Sequence, residues 1–307
     1  MPYRHLEVGP PSKCYSNYMK TLREAVEEAR KGHYALAHFN VGTMEMLRAV
    51  VSATKQTGLP VIIGVSEGER DAFGVPQIVA LIQSYKNEGL PVYLNADHTY
   101  SVERVKEAID AGFDSVIFDG AKLSAEDNIA QTKECVVYAR ASGRDVIVEA
   151  EMGFIGSGSQ LLDALPLGAV TTEDMMTKPD EARAFVEATG IDMLAPAVGN
   201  IHGMIRGSGN PHLSITRVKE IAQTSGVPLV LHGGSGISNQ DFTDAIEAGI
   251  SIVHISTELR LAYRQALTKG LSENADELAP YKLTREAVLA VQNVAENRLT
   301  LFANTTN

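Results

Sequence analysis

The sequence predicts a closed (β/α)8 TIM barrel, and three observations predict it. Short runs of Val, Ile, Leu and Ala recur eight times, each continuous instead of alternating with polar residues, as in parallel strands covered on both faces. Between them lie amphipathic helices that end on a glycine, and a proline often opens the next strand. The rhythm never changes, so a closed sheet is favoured over an open doubly wound one. No GxGxxG turn follows the first strand to support dinucleotide binding.

Residues 1–16, rich in Pro, Gly and polar side chains, read as an N-terminal arm laid over the surface or a partner subunit. From Asn17 the pattern turns helical, with Met19, Leu22, Val26 and Ala29 on one face and Gly32 as the stop. The first strand, ALAHFNV, spans 35–41, and a helix over 44–57 ends at Gly58. Strand PVIIGVS opens at Pro60, and a helix over 75–87 precedes PVYLNAD, which opens at Pro91. Helix 101–111 leads to SVIFDG at 115–120, and helix 125–141 to DVIVEAEMG at 145–153. A longer irregular stretch over 154–178 precedes helix 179–189 and strand MLAPAVG at 193–199. Helix 215–224 leads to PLVLHGG at 228–234, and helix 240–248 to SIVHIST at 251–257. From Leu259 onward the chain reads as extra C-terminal helices. The division is therefore an arm over 1–16, a barrel over 17–270 and a helical extension of the same domain over 271–307.

A single barrel accommodates 307 residues, and 44% hydrophobic with 21% charged residues excludes disordered and collagen-like chains. A net charge of -11 argues against a nucleic-acid partner, so any phosphate site must be local. Cys14 and Cys135 form neither a disulfide framework nor a CxxC knuckle and read as free thiols of a reducing cytosol. No run approaches the roughly 18 apolar residues of a membrane span. MPYRHLEVGPPSKC lacks the apolar core of a signal peptide, and the expectation is a cytoplasmic protein without a membrane partner.

The chain is organised around LVLHGGSG at 229–236, where an apolar strand runs into a histidine, glycines and a serine. Bare glycine backbone lets N–H groups approach a phosphate closely, and the imidazole suits a metal. NADH at 95–98 and GNIHG at 199–203 end in the same manner. His98, His202 and His232 would then meet at the C-terminal mouth of the barrel, where reactive groups gather. Three neutral imidazoles leave the charge of Zn2+ uncompensated and a fourth position open, as a Lewis acid requires. His38 stands alone, without an HxH pairing. Asp97 beside a dication suits a general acid/base, provided the chain turns at His98, because consecutive strand residues point to opposite faces.

ALAHFNV, NADH, SVIFDGAKLS, VEAEMGFIG, GNIHG and LVLHGGSGI, in this order, resemble the zinc-dependent class II ketose-bisphosphate aldolases, fructose-bisphosphate aldolase-like, over about 17–267. The resemblance implies reversible cleavage of a ketose 1,6-bisphosphate, by default fructose 1,6-bisphosphate, to dihydroxyacetone phosphate and an aldehyde through a zinc-stabilised enediolate. A sibling specificity for tagatose 1,6-bisphosphate or a ketose 1-phosphate, and a non-catalytic zinc- and sugar-phosphate-binding descendant, are the alternatives. It implies His98, His202 and His232 as zinc ligands, Asp97 as proton donor, and Asp119 and Glu151 as carboxylates for an alternative metal position or a second divalent or monovalent cation. Glu149 competes with Glu151 for that role. Gly203, Gly233, Gly234, Ser235, His254, Ile255, Ser256 and Thr257 fall where the family binds dihydroxyacetone phosphate. Arg206 lies near the family's phosphate-side lysine, and Arg260 matches an arginine that reaches the other phosphate. A homodimer or homotetramer is implied as well. Against the family pattern, Asn95 replaces the first histidine of HxDH, Thr99 a small residue, His254 the asparagine and Ser256 the aspartate of NVDT. Ser159 stands where the family has a loop acid, and Asp163 or His254 are the substitutes at hand.

Overall fold

The computed structural model describes residues 20–304 apart from 157, 167, 170, 171 and 208. The arm over 1–16 and Cys14 lie outside the described residues. The strands are β1 (Leu36–Asn40), β2 (Val61–Val65), β3 (Val92–Thr99), β4 (Ser115–Phe118), β5 (Ile147–Met152), β6 (Leu161–Leu162), β7 (Met193–Pro196), β8 (Met204–Ile205), β9 (Leu229–Leu231) and β10 (Ile250–Ile255). The helices are α1 (Leu22–Gly32), α2 (Met44–Thr57), α3 (Glu67–Phe73), α4 (Val75–Asn87), α5 (Val102–Ala111), α6 (Ala125–Ala141), α7 (Pro179–Thr189), α8 (Ile215–Ser225), α9 (Asn239–Ala248), α10 (Thr257–Glu273), α11 (Pro280–Leu283) and α12 (Arg285–Phe302). Eight strands close into a parallel barrel in the order β1-β10-β9-β7-β5-β4-β3-β2, as the continuous apolar runs require.

The punctuation read in the sequence has its physical counterpart at the helix ends. Thr43, Ser101, Ser124 and Ser238 each accept a hydrogen bond from the third residue of the following helix. Gly58, Gly112, Gly190 and Gly226 take the left-handed conformation at the C-caps, which costs a glycine nothing.

Three elements lie beyond the sequence reading. Helix α3 is short and polar, with no apolar period to betray it, and Ser66 with Glu69 caps it. β6 and β8 pair as a two-stranded sheet over the barrel mouth, each too short to leave a pattern. The first helix begins at Leu22 with Thr21 as its cap, and residues 17–19 lie outside the described residues. The boundary at residue 270 falls inside α10. α12 sends Val291, Ala295, Leu299 and Phe302 into the same core as the barrel helices.

Period-two alternation layers the barrel interior. The bottom layer is Leu36, Ile62, Tyr93, Ile147, Met193, Val230 and Ile252, and Leu22, Ala25, Val26 and Ala29 of α1 plug it from below. Two residues further up the same strands stand His38, Asn95, Glu149, His232 and His254, all buried. Above them come Asn40, Asp97 and Glu151. Cys135 is a free thiol in the outer core, pushed up to about 12 by burial. No helix among the described residues is long and apolar enough to cross a membrane.

Candidate active site

The three predicted imidazoles meet. His98, His202 and His232 come from the end of β3, the loop after β7 and the residue after β9, and with Glu151 of β5 they present donor atoms all within 4.8 Å of one another. The ring of His98 lies 4.8 Å from that of His202 and 4.9 Å from that of His232, edge to face. His98 joins the group because its backbone takes φ 38°, a left-handed conformation rare outside glycine, and the β3–β4 register shifts between Ala96 and Thr99. That kink lets neighbouring Asp97 and His98 face one cleft.

Carboxylates orient the rings. Asp119 Oδ2 lies 2.8 Å from His98 Nδ1, which leaves Nε2 for the cluster, so Asp119 stands behind the His98 ring, outside the converging group. Glu149 Oε1 lies 2.8 Å from His232 Nε2 in the same manner, whereas Glu151 Oε2 approaches His232 Nδ1 to 3.2 Å without hydrogen-bond alignment. The competition between the two glutamates thus ends with Glu149 orienting and Glu151 facing the cluster.

A divalent cation fits these residues. His202 Nε2, His232 Nδ1 and Glu151 Oε2 are buried without a hydrogen-bond partner and converge on one place, a costly arrangement unless something fills it. Burial lowers the pKa of His98, but Asp97 and Asp119 outweigh it and raise the ring to about 9. His232 is likewise driven well above its ordinary value by Glu149 and Glu151 against the effect of burial. Burial together with the His98 and His232 rings holds His202 neutral, its lone pair available. The carboxylates call for positive charge here, which a dication would supply while displacing protons.

Asp97 is held from three sides. Its Oδ2 accepts from Asn40 Nδ2 at 2.8 Å, and its Oδ1 lies 3.5 Å from His254 Nδ1. Buried Arg70 donates to the Asp97 carbonyl at 3.3 Å and to Thr99 Oγ1 at 3.1 Å. Burial pushes the carboxyl up, but His98, His254 and His38 outweigh it and keep Asp97 well below the usual carboxylate range. It is an ionised base that can take a proton and return it.

The two departures at Asn95 and His254 belong to one layer. His254 stacks on His38 with ring centroids 3.5 Å apart and planes 4° from parallel. His38 Nε2 lies 3.1 Å from Asn95 Oδ1, whose amide donates to Ser115 Oγ at 2.7 Å. The His38 ring occupies the space above Gly64, where a Cβ would come within 2.0 Å of it. Burial lowers the His38 pKa to about 4, so the ring is neutral. Parallel rings cannot aim their in-plane lone pairs at one ion, and this layer is hydrogen-bonded packing beneath the cluster.

Beside the cluster lies a backbone cradle. Gly203, Gly233, Gly234, Ser235, His254, Ser256 and Thr257 line it together with Ser159. The N–H groups of Gly203, Gly233, Ser235 and Thr257 donate to nothing among the described residues, whereas Gly234 N–H is spent on the His254 carbonyl at 3.1 Å. Ser235 Oγ accepts from the N–H groups of Ser256 and Glu258, both at 3.2 Å, and so fixes the turn against the start of α10. Thr257 opens a 17-residue helix, and its N–H with those of Gly203, Gly233 and Ser235 offers the donors an anion would need. A Cβ on Gly233 would lie 2.3 Å from the Ile201 carbonyl, so glycine is also required for the loops to cross. Ile255 sends its side chain into the outer core, away from the cradle. Arg206 pairs with Asp163 at 3.0 Å, both exposed, and Arg260 pairs with Glu69 at 2.6 Å. Asp163 is not among the residues lining the cleft or the cradle, while Ser159 lines both.

Sequence reasoning passed over Asn40, Glu69 and Arg70. Asn40 left one signal, the two-residue spacing from Leu36 through His38 that carries the strand from apolar to polar. Glu69 and Arg70 left none, being charged residues in a short helix.

The fold and its mouth define a (β/α)8-barrel enzyme. The profile of the family described as "Fructose-bisphosphate aldolase class-II" matches residues 20–307. A fructose-bisphosphate aldolase from Staphylococcus aureus (strain Mu50 / ATCC 700699) is 35% identical over 286 residues, 92% of this chain and 96% of that protein. One from Geobacillus stearothermophilus is 35% identical over 277 residues, 88% and 93% of the two chains. The crystal structure of the YdjI aldolase from Escherichia coli K12 superposes with a TM-score of 0.76 at 34% identity, covering 91% of this chain and 96% of that one. This chain belongs to the class II fructose-bisphosphate aldolase family and is a carbon–carbon lyase.

Proposed function

We propose that this chain catalyses the metal-dependent, reversible cleavage of a phosphorylated ketose to dihydroxyacetone phosphate and an aldehyde. The observation that carries the reading is the convergence of His98, Glu151, His202 and His232 within 4.8 Å, next to ionised Asp97 and an open N–H cradle. His98, His202 and His232 would hold Zn2+, with Glu151 available as a further ligand or for a second cation, and Asp119 and Glu149 orienting the rings. Zn2+ bound there acts as a Lewis acid on a substrate carbonyl or hydroxyl oxygen. The cradle N–H groups bind the phosphate and fix the ketose relative to Asp97. In cleavage Asp97 takes the proton from the C4 hydroxyl as the C3–C4 bond breaks, and in condensation it returns that proton to the aldehyde oxygen. Ser159 cannot accept the C3 proton as a carboxylate would, and of the two substitutes the sequence offers, His254 lines the cradle and Asp163 does not.

EDTA abolishes triose phosphate release and added Zn2+ restores it on this reading; activity untouched by chelation overturns it. Exposed Leu271, Tyr281 and Leu289 on the C-terminal helices and Leu278 between α10 and α11 support self-association into a homodimer or homotetramer. Sedimentation showing monomer alone removes that part.

A further inference from the structure

We propose that the aldehyde half of the substrate carries no phosphate: the cleft beyond the metal cluster selects a ketose 1-phosphate with an uncharged, hydroxylated tail, and Glu69 sets that preference. The proposal rests on the aldolase reading and names the substrate class of the same site.

The two ends of the site differ in what they offer an anion. At the cradle, four N–H groups stand open among the described residues. At the other end, a cleft of about 250 Å³ runs outward from Asp97 and His98 past Ser66, Glu67, Gly68, Tyr100, Lys122 and Arg260. Lys122 and Arg260 are the cations among the described residues that line it. Arg260 is already neutralised, with its Nη2 2.6 Å from Glu69 Oε1. Glu69 cannot swing aside cheaply. Its other oxygen accepts from Ser66 N at 2.8 Å, Ser66 Oγ at 2.9 Å and Asn40 Nδ2 at 3.1 Å. Glu67 puts a carboxylate in the wall itself, its Oε1 accepting from Tyr100 N–H at 3.0 Å. Lys122 is exposed, its ammonium 5.8 Å above the Tyr100 ring.

Two carboxylates thus balance two cations. A phosphate entering this end brings a charge of about −2 and meets the Glu67 carboxylate in the wall and a guanidinium whose charge Glu69 already balances from behind. A chain of hydroxyls meets no such penalty, because Glu67 accepts from it and the guanidinium and ammonium donate to it. A wall that meets its preferred ligand with hydrogen bonds and the competitor with like charge is a specificity device. Arg206 and Arg264 border a second groove with Arg260, but this groove opens beside Ser159 and Thr257 of the cradle, and Arg206 is held by Asp163 at 3.0 Å.

The test is condensation by the Zn2+-loaded enzyme, followed as consumption of dihydroxyacetone phosphate with glyceraldehyde or with glyceraldehyde 3-phosphate, a readout blind to the product epimer. We expect kcat/KM to favour glyceraldehyde by about tenfold or more, the range a few polar contacts provide. Glu69→Gln, which keeps the shape and removes the charge, shifts the ratio toward the phosphorylated aldehyde by about tenfold, through KM. Wild-type enzyme that uses glyceraldehyde 3-phosphate as well as or better than glyceraldehyde overturns the proposal. So does an Arg264→Ser variant that loses activity with the phosphorylated aldehyde alone, since the second groove would then hold that phosphate. Consumption with neither aldehyde defeats the aldolase reading itself, a result distinct from a wrong preference.

Discussion

The same strands build two unlike halves of one barrel. On β1 the inward residues run Leu36, His38, Asn40; on β3 Tyr93, Asn95, Asp97; on β5 Ile147, Glu149, Glu151. The lower half is apolar, filled and sealed by α1. The upper half buries imidazoles and carboxylates, and seven of its side-chain atoms, on His38, Asp97, Glu149, Glu151, His202, His232 and Ser256, have no hydrogen-bond partner among the described residues. Burying such groups costs free energy, so the upper half cannot be what holds the barrel closed. The division teaches where to look: substitutions above should alter chemistry and leave stability nearly unchanged, and substitutions below should do the reverse.

The largest effect belongs to Asp97. Asp97→Asn preserves the shape and can still accept from Asn40, but it cannot take a proton, so kcat should fall by about 10²–10⁴-fold. Zinc content and the thermal midpoint should stay near wild type. A strongly lowered midpoint would show that the upper half carries stability after all. Next comes Leu22→Ala in the plug, where Leu22 is 2% exposed. It should lower unfolding free energy by about 3 kcal/mol in a chemical denaturation series, with kcat per folded molecule unchanged. Lost activity in the folded protein would mean that the two halves are mechanically coupled.

Much of this division was legible beforehand, and the reason is local. Continuous apolar runs announce strands covered on both faces, and a histidine at the end of such a run lies at the mouth because the barrel gives it nowhere else to be. What escaped depends on partners distant in the chain. Glu69 matters because Arg260 is 191 residues away. Asn95 and His254 read as two separate departures, yet both meet His38, whose ring fits only because Gly64 has no side chain. The left-handed turn at His98 leaves no trace in composition, since no glycine or asparagine stands there. Asp119 and Glu151 were legible as carboxylates near the cluster, but which one faces it was decided by the direction of the His98 and His232 rings.

A smaller effect separates orientation from ligation within the upper half. Glu149 meets only the Nε2 side of His232 and is not itself a member of the converging group of His98, Glu151, His202 and His232. Glu149→Gln keeps a hydrogen-bonding side chain but removes the charge that favours the imidazole's orientation, and should weaken Zn2+ affinity or activity by about 10–100-fold. Competition with a chromogenic chelator measures it directly. Affinity and activity both within twofold of wild type would reduce Glu149 to packing.

The smallest effect tests the lower half through its pH dependence. Asp192, just before β7, accepts from Arg23 Nη1 of α1 and Arg140 Nη2 of α6, both at 2.7 Å, and from Val148 N–H of β5 at 2.8 Å. It thus ties the plug to the barrel floor. Burial raises its pKa, but the hydrogen bonds from Arg140, Arg23 and Val148 outweigh burial and set it below the ordinary carboxylate value. A depressed folded-state pKa means that the unfolded chain binds the proton more readily, so the stabilisation is complete above the unfolded value of about 3.9. It fades as pH falls through the folded value. Both arginines are partly exposed, which limits the interaction to about 1 kcal/mol at neutral pH. Asp192→Asn should therefore cost about that much at pH 7, and the gap from wild type should close as pH drops below 4, where the wild-type carboxylate also becomes protonated. A gap that is constant from pH 7 to pH 3 would assign the loss to geometry instead of charge, and a gap that widens on acidification would contradict the depressed pKa itself.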